Sequence, residues 1–464
     1  MFGAKKVLDE KTALDDSNPP SFIQEKEDAV FGKVDENGPN FRDLGEWGAL
    51  VLMTKSNLGL GVLALPTVFS TLGIVPGIIC IVVVQSIIAY CSIIIGSFKI
   101  RHPEVYGLPD AGGVVFGRIG REFLYLVYCI LLVFITASAL VGLSTALNAV
   151  SAHGTCTAVF IAVAAIAGFL VGSLRTLGKV SWIGWAGIVS IVASIVTLTV
   201  GVGVQERPPL PAPQEGPWDK DLKIFGNPTF AQAMSAINII VFSYGSTPIY
   251  FGIVSEMKEP RKYARMMVVS IKFITVLYLV IGSVVYFYCG QYIAQPALGS
   301  AGVVLKKVCY GIAIPGLLAS LTIFVHVSGK NMFVRILAGS KHLQSNSITH
   351  WATWLGCTGA ATVGGYIIAS AIPIFGSLIS LIGAIICPLV CIIPYTLMWW
   401  HDHWRYVPVG ERKGRRVFVA VVNAVFFVVG VFLMVGGTYG AVVDLVNTTA
   451  VNGPWTCADN SGSV

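Results

Sequence analysis

The chain alternates long apolar runs with short polar stretches, and the runs are long enough to cross a bilayer. A helix needs about 20 apolar residues to span the hydrocarbon core. Eleven segments stand out on that measure: 47–71, 74–98, 122–150, 155–174, 182–204, 229–256, 266–290, 308–332, 351–371, 375–400 and 416–440. Several are longer than the minimum, which tilt or an interruption absorbs. The pattern predicts an all-α membrane protein with 11 transmembrane helices. Residues 1–45 are polar, with acidic clusters at Asp15-Asp16 and from Glu25 to Asp28, and read as a disordered acidic cytosolic tail. Residues 46–400 then form a ten-helix core, and 401–464 an eleventh helix with an external C-terminal tail.

Charge orients the spans. Lys and Arg concentrate on the cytosolic side of membrane proteins. With the N-terminus inside, 24 of the 31 Lys and Arg fall in cytosolic segments, 5 fall in external loops, and Lys55 and Lys272 fall within spans. The asymmetry predicts a cytosolic N-terminus and an extracellular or lumenal C-terminus. The Pro-rich 205–228 loop is then external. So is the sequon at Asn447, which lies close to the membrane; both a glycosylated and an unused sequon are open. Cys156 and Cys457 also fall outside, where a disulfide persists. Pairing and two free thiols are both open.

Composition narrows the class. Hydrophobic residues make up 55% of the chain and charged residues 12%, too few to cover a soluble surface. The net charge of +7 sits in tracts between apolar runs, so it reads as topology and not as a nucleic-acid surface. Most of the ten cysteines lie inside apolar runs as small hydrophobes. Cys387 and Cys391 share a helix face but are not a zinc signature, and no cofactor or metal is expected. His401-Asp402-His403 has an alternation that can ligate metal, but Trp399, Trp400, Trp404 and Arg405 around it read as an interfacial belt. No His-Glu-x-x-His or Gly-x-Ser-x-Gly motif is present, which argues against an enzyme.

Two spans are interrupted. The first runs Lys55-Ser56-Asn57-Leu58-Gly59-Leu60-Gly61 and reaches Pro66. The sixth runs Phe242-Ser243-Tyr244-Gly245-Ser246-Thr247-Pro248. Unwound backbone at membrane depth survives only where protein, water or ligand satisfies it. A half-helix N-terminus suits a carboxylate, and a half-helix C-terminus suits a cation. An α-amino acid carries both charges on one carbon. If spans 1–5 and 6–10 are two halves, the breaks occupy corresponding places, the pattern expected at a transporter's site. The predicted substrate site is therefore Ser56, Asn57, Leu58, Gly59, Leu60 and Gly61 with Phe242, Ser243, Tyr244, Gly245, Ser246 and Thr247. The substrate carboxylate is expected on the N–H groups of Asn57 to Gly61, and its ammonium on the carbonyls of Phe242 to Gly245. Gly168/Gly172 and Gly436/Gly440 read instead as close helix packing.

The chain resembles the amino acid/auxin permease family, within the amino acid–polyamine–organocation superfamily. The resemblance is carried by GLGVLALP at Gly59 to Pro66, by Ser255 to Pro260, and by Tyr106 to Ala111 followed by Phe116 to Gly120. It covers about Trp47 to Gly440, and the layout looks most like the fungal neutral amino acid permeases of that family. It implies the LeuT-type 5+5 inverted repeat of the bacterial leucine transporter, with helices 1 and 6 discontinuous and one helix added. It also implies secondary active transport, proton-driven in many members.

Lys55 is the expected coupling residue. In the resembling fold, sodium-coupled relatives hold a cation between the first span and the middle of the eighth. The Lys55 ammonium would take that cation's place, bonded to Ser320, Thr322 and loose carbonyls. An interfacial Lys55, or one paired with Glu256, is the structural alternative. Glu256 has two readings of its own, a gate or proton carrier and a salt bridge to a cytosolic Arg. The leading expectation is a monomeric proton-coupled symporter of neutral amino acids. It is placed in the plasma membrane, with the vacuolar membrane second. Sodium coupling, a channel and a transport-like nutrient sensor are the alternatives.

Overall fold

A computed structural model describes residues 27–28, 32–33, 42–209, 212–340, 342–343, 345–408, 411–449 and 454–461. The first apolar run is three helices: α1 (Glu46–Asn57), α2 (Leu60–Ala64) and α3 (Pro66–Leu72), the last opening on proline, which needs no N–H there. Then come α4 (Ile74–Arg101), α5 (Leu108–Ser151), α6 (Thr157–Gly172) and α7 (Leu177–Val204). The sixth run divides into α8 (Phe230–Ser243) and α9 (Ile249–Glu256). Next are α10 (Tyr263–Cys289), α11 (Val303–Ile336) and α12 (Ile348–Ala371). The tenth run comprises α13 (Phe375–Ile385), α14 (Cys387–Cys391) and α15 (Ile393–Trp400), followed by a π-helical turn, His401–Arg405. The last helix is α16 (Arg415–Thr449).

Among the described residues, seven helices are long and apolar enough to cross a membrane, or eight if α12 and α13, bent by 117°, form one span. α6 and α8 are shorter apolar helices. The polar stretch 99–121, expected as a connection, is partly helical. α5 starts at Leu108, because the Asp110 carboxylate accepts the N–H groups of Tyr106 and Gly107. It kinks at Gly117, whose φ of 69° a side chain would resist. Within the tail, Glu27–Asp28 pairs antiparallel with Gly32–Lys33; the rest of 1–41 lies outside the described residues.

α11 is the hub, packed against α5, α6, α7 and α12. Small residues let the backbones close in. A Cβ on Gly168 would meet Leu321, and one on Gly172 would meet Val325. Gly440 lies against the Ala231 carbonyl in the same way. The outward face of α7 exposes Trp182, Val189, Val196 and Val200, an apolar stripe suited to lipid.

Helix ends gather on two faces. One face holds Leu44, Tyr106, Glu256 and Met257. The other holds Cys156 and Cys457, which form a disulfide. There the C-terminal tail lies across the ends of α5, α6 and α12: Trp455 N–H donates to the Ser370 carbonyl, Thr157 Oγ1 to the Ala458 carbonyl, and Asn460 to Ser144 Oγ. The Asn447 backbone lies in the last turn of α16, and its side chain lies outside the described residues.

Candidate functional site

Between α1 and α2 the chain leaves the helix at Leu58 and Gly59. Between α8 and α9 it turns through 244–248. The two breaks are tied to each other. Ser246 Oγ donates to the Ser56 carbonyl at 2.7 Å. The Tyr278 hydroxyl, from α10, lies 2.8 Å from the Asn57 carbonyl and 2.9 Å from the Ser243 carbonyl, bridging both C-terminal ends. Asn57 Nδ2 donates to the Tyr250 hydroxyl, and Asn57 Oδ1 has no hydrogen-bond partner among the described residues. Gly61 sits directly on Ser243: a Cβ there would lie 2.7 Å from the Ser243 Cα.

The backbone accounting differs from expectation at both ends. Asn57 closes α1 and Leu58 N–H donates to the Thr54 carbonyl, so of the N–H groups expected to hold the carboxylate only those opening α2 lack a partner within their helix. The carbonyls of 242–245 are already engaged. Phe242 accepts from Gly245 N–H, Ser243 from Tyr278, Tyr244 from Thr247 Oγ1, and Gly245 from Cys391 Sγ. An ammonium there must share these oxygens, each of which keeps a second lone pair. Tyr244 turns its hydroxyl to Thr275.

Lys55 is fully buried in the last turn of α1. Its ammonium donates to the Leu58 carbonyl at 2.8 Å and to Ser320 Oγ at 2.5 Å. A cation at a helix C-terminus is electrostatically well placed. The α7 backbone gives it room: a Cβ on Gly187 would meet Lys55 Cε at 2.7 Å. Pro315 interrupts α11 just before Ser320, and Ser190 of α7 fills the gap by donating to the Ile312 carbonyl and accepting from Gly316 N–H. Two expectations are corrected. Thr322 does not reach Lys55, because its hydroxyl donates within its own helix to the Leu318 carbonyl. Lys55 does not pair with Glu256 either.

Glu256 instead pairs with Lys330 at 2.6 Å, with 1% and 2% of the two side chains exposed. This partner is a lysine of α11, which the sequence reading had not matched to it. Tyr106 donates to the same carboxylate, and Ser255 Oγ donates to the Tyr106 carbonyl. Lys99 Nζ holds the connecting loop by donating to the carbonyls of Pro103 and Val105. Leu44 bridges Met257 in parallel, with Leu44 N–H on the Glu256 carbonyl and Lys258 N–H on the Leu44 carbonyl. The start of α1, the end of α9 and α11 are thus fastened together on the Leu44 face.

On the opposite side a cavity of about 360 Å³ lies between α3, α8, α13 and α16. Its lining includes Thr67, Ser70, Gln232, Ser235 and Asp444, and it reaches Ile239, one turn before the Ser243 end of α8. Asp444 accepts a hydrogen bond from Ser377.

Residues 43–443 match the family described as transmembrane amino acid transporter protein. The chain belongs to this family of amino acid transporters. It is 35% identical over 98% of its length, and 96% of the relative's, to a transmembrane transporter of Fusarium pseudograminearum. It is 30% identical to the N amino acid transport system protein of Neurospora crassa, covering 92% of this chain and 91% of that one. Among solved structures, Mhp1, a nucleobase-cation-symport-1 family transporter in a closed conformation, shares its fold. The TM-score is 0.56 at 14% identity, over 92% of this chain and 99% of that one.

The transporter's geometry uses residues that the sequence reading passed over. Tyr278 lay in an apolar run with no polar neighbour to mark it. Lys330 was counted as the first charge of a loop, whereas it ends a buried turn of α11. His326, which the sequence leaves open as a proton relay or a hydrogen-bonded histidine, donates from Nδ1 to the Leu174 carbonyl and packs its ring against Trp354. Tyr125 lies under the Arg335 guanidinium.

Proposed function

We propose that this transporter is a monomeric, proton-coupled symporter of neutral amino acids in the plasma membrane. It works by alternating access on an 11-helix, 5+5 inverted-repeat plan with a cytosolic N-terminus and an extracellular C-terminus. One observation carries the coupling reading: the buried Lys55 ammonium is bonded to neutral oxygens, the Leu58 carbonyl and Ser320 Oγ, between α1 and α11. A fixed ammonium there does electrostatically what a bound metal cation would do, and it has a proton to lose. Proton loss would leave the α1 C-terminus without its cation and loosen α1 from α11. The fastened Leu44 face and the polar cavity opposite it support a state closed to the cytosol and open towards the exterior.

Uptake by proteoliposomes under an imposed pH or sodium gradient tests the reading. Wild-type accumulation is expected to follow the pH gradient without sodium. Lys55→Met is expected to lose pH-driven accumulation, with counterflow exchange retained. A strict sodium requirement, or undiminished pH-driven accumulation in Lys55→Met, overturns it.

The neutral substrate follows from charge. Around the breaks, Lys55 is engaged by its own oxygens, and Asn57, Tyr244, Tyr250, Ser243 and Tyr278 are neutral. A charged substrate side chain would be buried without a partner, which is costly. Competition against radiolabelled leucine is expected to rank leucine and phenylalanine above arginine and glutamate. The reverse order sinks the assignment.

A further inference from the structure

We propose that His102, His401 and Asp402 form a binding site for a divalent transition metal of the zinc class, joining the end of α4 to the π-helical turn after α15. Nothing in this inference rests on the proposed substrate or coupling. His102 follows the last residue of α4, and its Nε2 lies 3.1 Å from Asp402 Oδ1. His401 Nδ1 lies 3.1 Å from the same oxygen. The three candidate ligand atoms all fall within 4.8 Å of one another. Imidazole and carboxylate bind zinc at about 2.0–2.2 Å, and tetrahedral geometry then separates donors by about 3.3 Å. The spacing now bridged by imidazole protons is therefore close to the spacing a metal imposes.

The surroundings fit the donor set. His102 Nδ1 faces the Glu104 carboxylate at 3.7 Å. A carboxylate on the far nitrogen of a ligand histidine fixes its tautomer and raises its basicity. Arg101 approaches Asp402 through the other oxygen, Oδ2, at 3.5 Å, which leaves Oδ1 to the histidines.

The proposed site does not use the alternation His401-Asp402-His403 as it stands in the sequence. His403 stacks on Trp399 with an interplanar angle of 9°, as a belt residue, and turns Nδ1 to Arg101. The second imidazole of the site comes from a position about 300 residues earlier, brought in by α4 packing on α15.

Cobalt(II) titration of the purified full-length transporter tests the site, because tetrahedral cobalt gives intense visible ligand-field bands that octahedral cobalt lacks. One equivalent is expected to give those bands, and zinc is expected to bleach them. His102→Ala, His401→Ala and Asp402→Asn are expected to lose the bands. Glu104→Gln is expected to weaken binding by about tenfold, as for other partners of ligand histidines. His403→Ala is expected to keep them. His102→Ala is expected to keep the wild-type melting temperature in detergent, which separates loss of a ligand from misfolding. Absent or octahedral cobalt bands in the wild type overturn the proposal. So do undiminished bands in His102→Ala, or equal loss in His403→Ala.

Discussion

Replacing Gly61 by leucine is expected to abolish transport while the protein still reaches the cell surface. Even a Cβ there lands 2.7 Å from Ser243 Cα, Cβ and Oγ, and the Cα cannot swing aside as a flexible side chain can. α2 must therefore retreat from the end of α8. The open N–H groups of α2 and the bridged carbonyls of α8 would then no longer face one substrate. A displacement of about 1 Å costs on the order of a hundredfold where geometry is everything, so uptake should fall to background. Gly59→Leu acts through a different contact, because its Cβ meets Ser320 Oγ at 2.6 Å and Lys55 Nζ at 3.1 Å and displaces the ammonium. Uptake rate normalised to surface-biotinylated protein is the measurement. Normal uptake by both variants would remove the site from the first break.

The second large effect is expected at Glu256 and Lys330. Either Glu256→Gln or Lys330→Met alone takes from the other buried side chain the opposite charge it pairs with at 2.6 Å. Losing one partner of a buried pair costs about 3–5 kcal/mol, a large part of a protein's net stability. Removing both charges together spares that penalty, since neutral side chains of similar volume often replace a buried pair at little cost. Thermal unfolding of detergent-purified protein should show each single variant well below the wild type and the double variant recovering most of the difference. Two single variants with wild-type melting would show that the pair does not hold the Leu44 face closed.

The helices were legible where apolar runs were long, because lipid leaves the backbone no partner but itself. The breaks at Gly59 and at Tyr244–Pro248 were legible because Gly and Pro stand there beside a polar cluster in the middle of an apolar run, Lys55-Ser56-Asn57 in the first and Ser246-Thr247 in the sixth. What holds the breaks was not legible. Tyr278 meets Asn57 across 221 residues and Lys330 meets Glu256 across 74, and no local pattern encodes such meetings. Ser320 was reached from Lys55 only by way of the resembling fold, and the same route wrongly added Thr322, which lies round the helix and bonds Leu318. The beginning of α5 was hidden because Arg118, Arg121 and Glu122 made a helical stretch look like a loop.

The Cys156–Cys457 bond also constrains how the protein is made. It joins the loop before α6 to the chain's last residues, 301 positions later. No part of that cross-link exists until every helix from α6 to α16 has left the ribosome. On the proposed orientation the oxidised form is thus a timestamp: a newly made molecule acquires it only after its final helix is inserted the right way round, with both thiols in an oxidising compartment. A molecule whose last helix inserts backwards leaves Cys457 on the reducing side and Cys156 unbonded, so the two populations separate by thiol labelling alone.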